Sequence, residues 1–529
     1  MKNETDVLIV GAGPAGLMMA CQLALRNIPF RIIDKKSCGV QYSGALIIQA
    51  RSLEIFHQMG IAQSAIENGI LANEIKLVFN GTKSVILTVK DIGKDLTQFP
   101  YLLMLEQSKT EQILHDYIYK YGHSVERETE LNRFIQDADG VTSFLIGPNG
   151  VTEVIRTKYL IAADGAHSTV RKQLKIHFAG TSDPISLFVT DCISEADFQS
   201  DQICFSFSEE TTAGFFPLTD GRWRIDGVIS SKQAIKKPLY FKDIAKDIAD
   251  KTRINVKISQ PGWFSAFQVN ERCAQTFRQN KCFLVGDAAH IHSPVGAQGM
   301  NTGMQDSYNL AWKLEMVITG KVKPALLNSY SAEREVIAKN VVRVTHRAFN
   351  FLTSRNFILK CVRVYALPFI LRPVLPLMIK QKVISNFVFK RISEIGVQYR
   401  KNSFSHQTSL GCFRSCAPKP GDRLPYLRYW EYGQYISIQD HVDGASYHLM
   451  IFSKSNQAPI LKIAEKYSAF LSVQIVPSNS NTSESFKKMG ITNYGCFLIR
   501  PDLYISYRSS KPDVSHLERY LLQLCVVKE

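Results

Sequence analysis

Three glycines, Gly11, Gly13 and Gly16, stand at the spacing G-x-G-x-x-G in "DVLIVGAGPAGLMMACQLALRNIPFRIID", and Asp34 closes the stretch eighteen residues after Gly16. This pattern suits a nucleotide pyrophosphate. Gly11 permits a tight turn, Gly13 lets backbone approach the phosphates, and Gly16 lets a helix pack closely on a strand. Ala15, also small, occupies the same turn. A helix that begins here offers free N–H groups and about half a positive charge to an anion. Asp34 can accept hydrogen bonds from a ribose. Taken alone, the unit fits NAD and FAD equally. Two further acids sit at comparable junctions. Asp164 and Gly165 end an apolar run in "YLIAADGAHSTVRKQL", with Ser168 placed to cap a helix and Arg171 in its first turn. Gly286 and Asp287 end another in "FLVGDAAHIHSPVGAQGMNTGMQDSYNLAWKL".

The elements needed to position these groups are buried strands followed by helices. Each acid or glycine closes a continuous apolar run, as expected of a parallel sheet covered on both faces. Met304, Tyr308, Ala311 and Trp312 recur at helical spacing and read as core. His290 and His292 form an H-x-H pair, but no Cys, Asp or Glu completes a metal-ligand set nearby, and no metal is expected.

With the three motifs in this order, the sequence resembles the single-component FAD-dependent aromatic hydroxylases, the class A flavoprotein monooxygenases related to para-hydroxybenzoate and phenol hydroxylases. The resemblance covers most of the chain. It implies that Asp287 binds the ribityl chain of FAD and that "SPVGAQGMN" wraps the flavin edge. Pro294 lies in that loop, and Gly299, Met300 and Asn301 would supply its backbone contacts. A helix from about Gly303 would aim its positive end at the flavin. Asp164 would belong to the cofactor site. Arg51, Gln107 and Leu131 match family positions near the cofactor. Gly44 stands where relatives often carry an Arg, and Ala297 where a Gly is common.

The implied chemistry is hydride transfer from NAD(P)H to FAD and then insertion of one oxygen atom from O2, through a flavin C4a-hydroperoxide, into a phenolic or polyketide-like aromatic ring. NAD(P)H would bind transiently, in a cleft near Asp164. No spacing singles out the base that takes the phenol's proton. Arg222 and Arg224 in "DGRWRI" could meet an anionic substrate or simply be exposed strand residues. Other readings of the same fold are a reductase or halogenating relative, a quinone-biosynthesis hydroxylase acting on a membrane lipid, and a non-catalytic flavoprotein scaffold. The Trp-rich segment expected of a halogenating relative is missing after Gly16, and a scaffold would not need the ribityl Asp.

The expected fold is α/β, with a Rossmann-like FAD-binding domain over 1–70, 105–180 and 270–345. An inserted β-sheet substrate domain is expected over 71–104 and 181–269, a basic helical link over 346–402, and a thioredoxin-like C-terminal domain over 405–529. Pro368, Pro373 and Pro376 are expected to break any single long helix in the link. Cys412 and Cys416 are spaced C-x3-C and precede the strand pattern, which argues against thioredoxin chemistry.

The 529 residues, 45% hydrophobic and 21% charged, are ordinary for a folded globular chain. Neither a signal peptide nor a transmembrane helix is expected. Eleven cysteines without a C-x-x-C suit free thiols in a reducing cytoplasm. The net charge of +16 is concentrated: Arg343 to Lys401 holds twelve Lys or Arg and one acid, Glu394. Such a segment suits a solvated face, a peripheral contact with an anionic membrane, or anionic ligands. Nucleic acid is not expected, because no binding motif accompanies the charge. The tail domain is expected to be structural or to mediate a homodimer.

Overall fold

The computed structural model describes residues 4–40, 44–196, 198–229, 240–354, 356–400, 406–407, 413–431, 433–453, 462–463, 465–477 and 482–525. Cys412 of the C-x3-C pair lies outside them.

The apolar runs form one parallel sheet. Glu4–Val10 pairs in parallel with Phe30–Asp34 on one side and with Thr152–Ala162 on the other. Thr152–Ala162 in turn pairs in parallel with Cys282–Leu284. In this register Val10 lies opposite both Ile33 and Ala162, and Ala162 lies opposite Leu284. Gly11, Asp34, Asp164 and Gly286 therefore all emerge at the carboxyl edge of one sheet, where open α/β sheets bind their ligands. An antiparallel hairpin, Glu130–Gln136 with Val141–Ile146, extends the sheet by pairing with Thr152–Ala162. Helices Pro14–Leu25 and Gly299–Ile318 cover it. Their contact is tight because Ser307 Oγ donates to Ala15 O at 2.7 Å. Met304, Tyr308, Ala311 and Trp312 are all buried core residues.

A second, eight-stranded sheet contains Glu74–Phe79 and Lys83–Thr88 together with strands between Phe178 and Ile291. Its long ribbon pairs Phe178–Ala196 with Val256–Ala274 antiparallel, and Arg222–Val228 lies on the ribbon's other side. This sheet roofs the carboxyl edge of the first.

A five-stranded sheet with two parallel and two antiparallel pairings forms the C-terminal part. It docks through charge as well as apolar surface. Arg500 reaches across to Glu333 at 2.6 Å, and Lys313 meets the same carboxylate at 2.8 Å. Burial alone would push the Glu333 carboxyl up, but Arg500 and Lys313 hold it well below the usual carboxylate range.

One expectation fails here. Residues Phe357–Lys380 form one continuous 24-residue helical stretch, although it holds Pro368, Pro373 and Pro376. Pro368 follows closely on the π-helical turn Val362–Ala366, where the helix departs from the regular hydrogen-bond ladder that a proline would break. Pro373 and Pro376 are exposed, so the carbonyls they leave unpaired open to solvent instead of the core. By length and composition this helix is also long and apolar enough to cross a membrane, although charges interrupt its sequence.

Candidate functional site

A cavity of about 630 Å³ lies between the carboxyl edge of the parallel sheet and the roof sheet. Its dinucleotide half is built on glycine geometry. Gly11 has φ of +101°, and a Cβ there would come within 2.3 Å of Ala163 O. A Cβ on Gly16 would sit 1.9 Å from Gly11 O, so Gly16 serves packing and lies behind the cavity wall. A Cβ on Gly13 would meet nothing within 4 Å, and the backbone there faces open cavity. Ala15 lines the same wall.

Asp34 lines the cavity while organising the turn beside it. Its Oδ2 accepts from Ala12 N at 2.7 Å and its Oδ1 from Lys36 N at 2.8 Å. Gln107 and Leu131 also line the wall, and Gln107 Nε2 donates to Glu111 Oε1 at 2.8 Å. Asp164 Oδ2 accepts from Thr169 N at 2.7 Å and from Val170 N at 3.2 Å. Ser168 Oγ caps the short helix by accepting from Arg171 N at 3.0 Å. Burial pushes the Asp164 carboxyl up, against these hydrogen bonds.

Gly286 and Asp287 behave differently from each other. Gly286 N donates to Asp306 Oδ2 at 3.0 Å, and Asp306 also meets His290 Nε2 at 2.8 Å and Arg334 Nε at 2.6 Å. Burial would raise the Asp306 carboxyl, but Arg334 and His290 hold it below its ordinary value. This buried cluster fixes the strand end. Asp287, by contrast, lines the cavity with its side chain exposed there, and accepts no protein hydrogen bond among the described residues. Its carboxyl is pushed up by burial, which His290 only partly offsets.

Pro294, Gly299 and Met300 line the cavity below the roof sheet. The helix begins at Gly299, four residues before the expected Gly303. Asn301 is fully buried behind the wall, not in it. Its side chain donates to Ile47 O at 2.8 Å and Ala297 O at 3.0 Å, and accepts from Gln49 N at 2.9 Å. Those bonds hold the loop against the segment that carries Ile47, which explains why the helix can start early.

Arg51 is the clear correction. It is 1% exposed and lies away from the cavity. Its guanidinium donates to Glu54 Oε2 at 2.9 Å and to Asp502 O at 2.7 Å, with Tyr308 and Tyr504 against it. It ties the C-terminal domain to the core and is not among the residues that line the cavity. Gly44 does line the cavity, with open space at its Cβ position.

The roof contributes groups that the sequence left open, as with Arg224, or did not name, as with Asp226. Leu187, Val189, Phe216 and Phe267 make this half apolar, and Arg224 and Asp226 are its charged groups. Both come from the strand Arg222–Val228, two residues apart and hence on one face. Arg224 is 3% exposed and held by Asp191 at 2.7 and 2.8 Å, with Nη1 on Ala45 O at 3.1 Å. Trp263 Nε1 also donates to Asp191, at 2.8 Å. Burial pushes the Asp226 carboxyl up to about 6, while Gly214 N, at 3.1 Å, and Arg224 pull it down. Arg222 points elsewhere and meets Glu106 at 3.3 Å.

His292 lines the cavity near the loop. Burial lowers it to about 4, so the ring is neutral, and its Nδ1 bonds Ser293 O at 2.8 Å. Among the described residues, His292 Nε2 and Asp164 Oδ1 are buried without a partner. Two orphaned acceptors, an unpaired Asp287 and the open space before Gly13 fit a ligand with a diphosphate, a polyol and a hydrogen-bonding ring. FAD has all three.

Comparison with known proteins agrees with this geometry. Residues 4–345 match the family described as "FAD binding domain". The 6-methylpretetramide 4-monooxygenase of Streptomyces rimosus is 29% identical over 549 residues, covering 100% of this chain and 96% of that protein. The pentachlorophenol 4-monooxygenase of Sphingobium chlorophenolicum is 32% identical over 352 residues, covering 65% of this chain and 64% of its own. A ternary complex of aklavinone-11 hydroxylase with FAD and aklavinone shares the fold, with a TM-score of 0.77, 22% identity and 98% of each chain covered. The match over residues 4–345, with which the glycine cradle and the unpaired Asp287 agree, places the chain in the FAD-binding domain family, among its flavin-dependent monooxygenases.

Proposed function

We propose that the cavity binds a phenolic or polyketide-like aromatic beneath the roof sheet, and that the enzyme hydroxylates its ring using NAD(P)H and O2. The observation that carries this reading is the continuity of the cavity. One 630 Å³ space joins the glycine cradle to an apolar chamber whose charged groups are Arg224 and Asp226. An aromatic ring suits the Phe216, Phe267, Leu187 and Val189 surface, and its hydroxyl suits the two charges.

Bound FAD supplies hydride acceptance and activation of O2 for transfer of one oxygen atom. The chain's residues do the rest. Gly13 and the start of the Pro14–Leu25 helix hold the diphosphate, Asp34 the ribose and Asp287 the ribityl hydroxyls. Asp164, Gln107 and Leu131 complete the wall, and Pro294, Gly299 and Met300 would hold the flavin ring from the loop side. Asp226 takes the substrate's phenolic proton. A carboxyl near 6 is mostly ionised at neutral pH and still basic enough to share that proton. Arg224, locked by Asp191, stabilises the phenolate that results. The apolar roof keeps water from the reacting centre.

NAD(P)H enters this reading as a transient reductant beside Asp164. To test it, the FAD-loaded protein is mixed with NADH or NADPH in air and a panel of phenols and fused-ring polyketides. Oxidation accelerated by one aromatic, with a hydroxylated product, supports the reading. Oxidation indifferent to every aromatic, from an enzyme that is nonetheless reduced rapidly, favours the reductase alternative.

A further inference from the structure

The stretch Phe357–Ile392 forms two helical arms, Phe357–Lys380 and Lys382–Ile392, packed against the roof sheet. Its inner side is committed. Leu367, Leu371 and Leu375 pack on Phe79, Val85 and Phe207, and Arg363, Val364 and Phe389 are buried. Its outer side is apolar but faces solvent. Phe357, Ile358, Phe369, Leu377, Val383 and Phe387 are 59–82% exposed. Globular chains rarely leave so many large apolar side chains on one contiguous element.

The charge on that element has one sign. Between Phe357 and Ile392 the sequence holds seven Lys or Arg and no acid. Arg372, Lys380, Lys382, Lys390 and Arg391 are exposed beside the apolar residues. Lys382 pairs with Asp95 of the neighbouring chain segment, and Arg391 lies 5.2 Å from the Phe387 ring.

We propose that the outer face of Phe357–Ile392 docks on an anionic bilayer, with the arms lying flat in the headgroup region. Two observations select this occupant. First, a helix whose inner side is spent on the sheet cannot surround itself with lipid, so it lies on the membrane and does not cross it. Second, a second copy of the chain would bring the same cationic patch against itself in a symmetric interface, whereas anionic headgroups complement it. Aliphatic and aromatic side chains enter the acyl boundary, while Lys and Arg heads stay among the phosphates. The docked face lies outside the FAD cradle, so the inference does not depend on the identity of the substrate.

The test is sedimentation of the full-length FAD-loaded protein with vesicles of phosphatidylglycerol and phosphatidylcholine, against phosphatidylcholine alone. Binding to the anionic vesicles that weakens as salt rises is expected, with little binding to the neutral ones. The double variant Phe369→Glu, Leu377→Glu should reduce the bound fraction by about tenfold or more. Its FAD content should be unchanged, because neither residue touches the cradle. Failure of the wild-type protein to sediment with anionic vesicles overturns the proposal. So does equal, salt-insensitive binding to both vesicle types. A concentration-dependent dimer in sedimentation velocity that the same double variant abolishes would assign the face to a second copy, which also overturns it.

Discussion

Replacing Asp287 with Ala should separate cofactor binding from folding. Asp287 accepts no protein hydrogen bond among the described residues, and its carboxyl is raised by burial. A raised carboxyl means that the fold disfavours the ionised form. Its contribution to the stability of the apoprotein is therefore fully present below the unfolded pKa and is lost as pH rises through the folded value. At neutral pH, removing the carboxylate should leave the apoprotein as stable as before, or slightly more stable. The loss falls on the cofactor. A hydrogen bond to a charged acceptor is worth about 1.5–3 kcal/mol, or roughly 10- to 150-fold in affinity. Fluorescence titration of FAD into stripped protein reads this directly, and thermal melting of the apoprotein reads the other half. Unchanged FAD affinity would refute the ribityl assignment. A large drop in apoprotein stability would refute the claim that the carboxylate is idle without its ligand.

Further expectations follow from the neighbouring groups. Gly16→Ala drives a Cβ to within 1.9 Å of Gly11 O, so the variant should purify without FAD and with lowered stability, seen by absorbance and melting. Asp226→Asn should cut kcat/KM by about 10²–10⁴ and abolish a limb of the pH profile that rises with deprotonation near pH 6; an unaltered profile would remove Asp226 as the base. Glu333→Gln leaves Lys313 and Arg500 facing each other with less compensation and should cost on the order of 3 kcal/mol in urea unfolding. Glu394, buried and raised to about 7, should erode stability as pH climbs from about 4.5 through 7, and Glu394→Gln should flatten that decline in pH-dependent melting.

The parts of this site that could be read from sequence are those written locally. Gly11, Gly13 and Gly16 act within a single turn, and Asp34, Asp164 and Asp287 each close their own strand. Ser168 caps a helix that begins one residue later. What escaped depends on distant partners. Arg51 spends its guanidinium on Asp502 O, 451 positions away, and no local pattern signals that contact. Arg224 could be read as a substrate contact or as an exposed strand arginine, and pairing of Arg222–Val228 with Phe178–Ala196 buries it on Asp191. The alternation in "GRWRID" puts Arg224 and Asp226 on one face and was the available hint. The basic segment showed its charge in the sequence, but the exposure of its apolar face depends on which side the roof sheet covers.

The central claim is that one cavity holds FAD and an aromatic ring, and that an oxygen atom passes to that ring. The most direct measurement is turnover under O2 enriched in the heavy isotope, with mass spectrometry of the product. The account predicts a product carrying one labelled oxygen, in amounts that track NAD(P)H consumed, and loss of that product in Asp226→Asn before loss of bound FAD. A product oxidised without label, or NAD(P)H consumed wholly to hydrogen peroxide with every aromatic that accelerates it, would contradict the account.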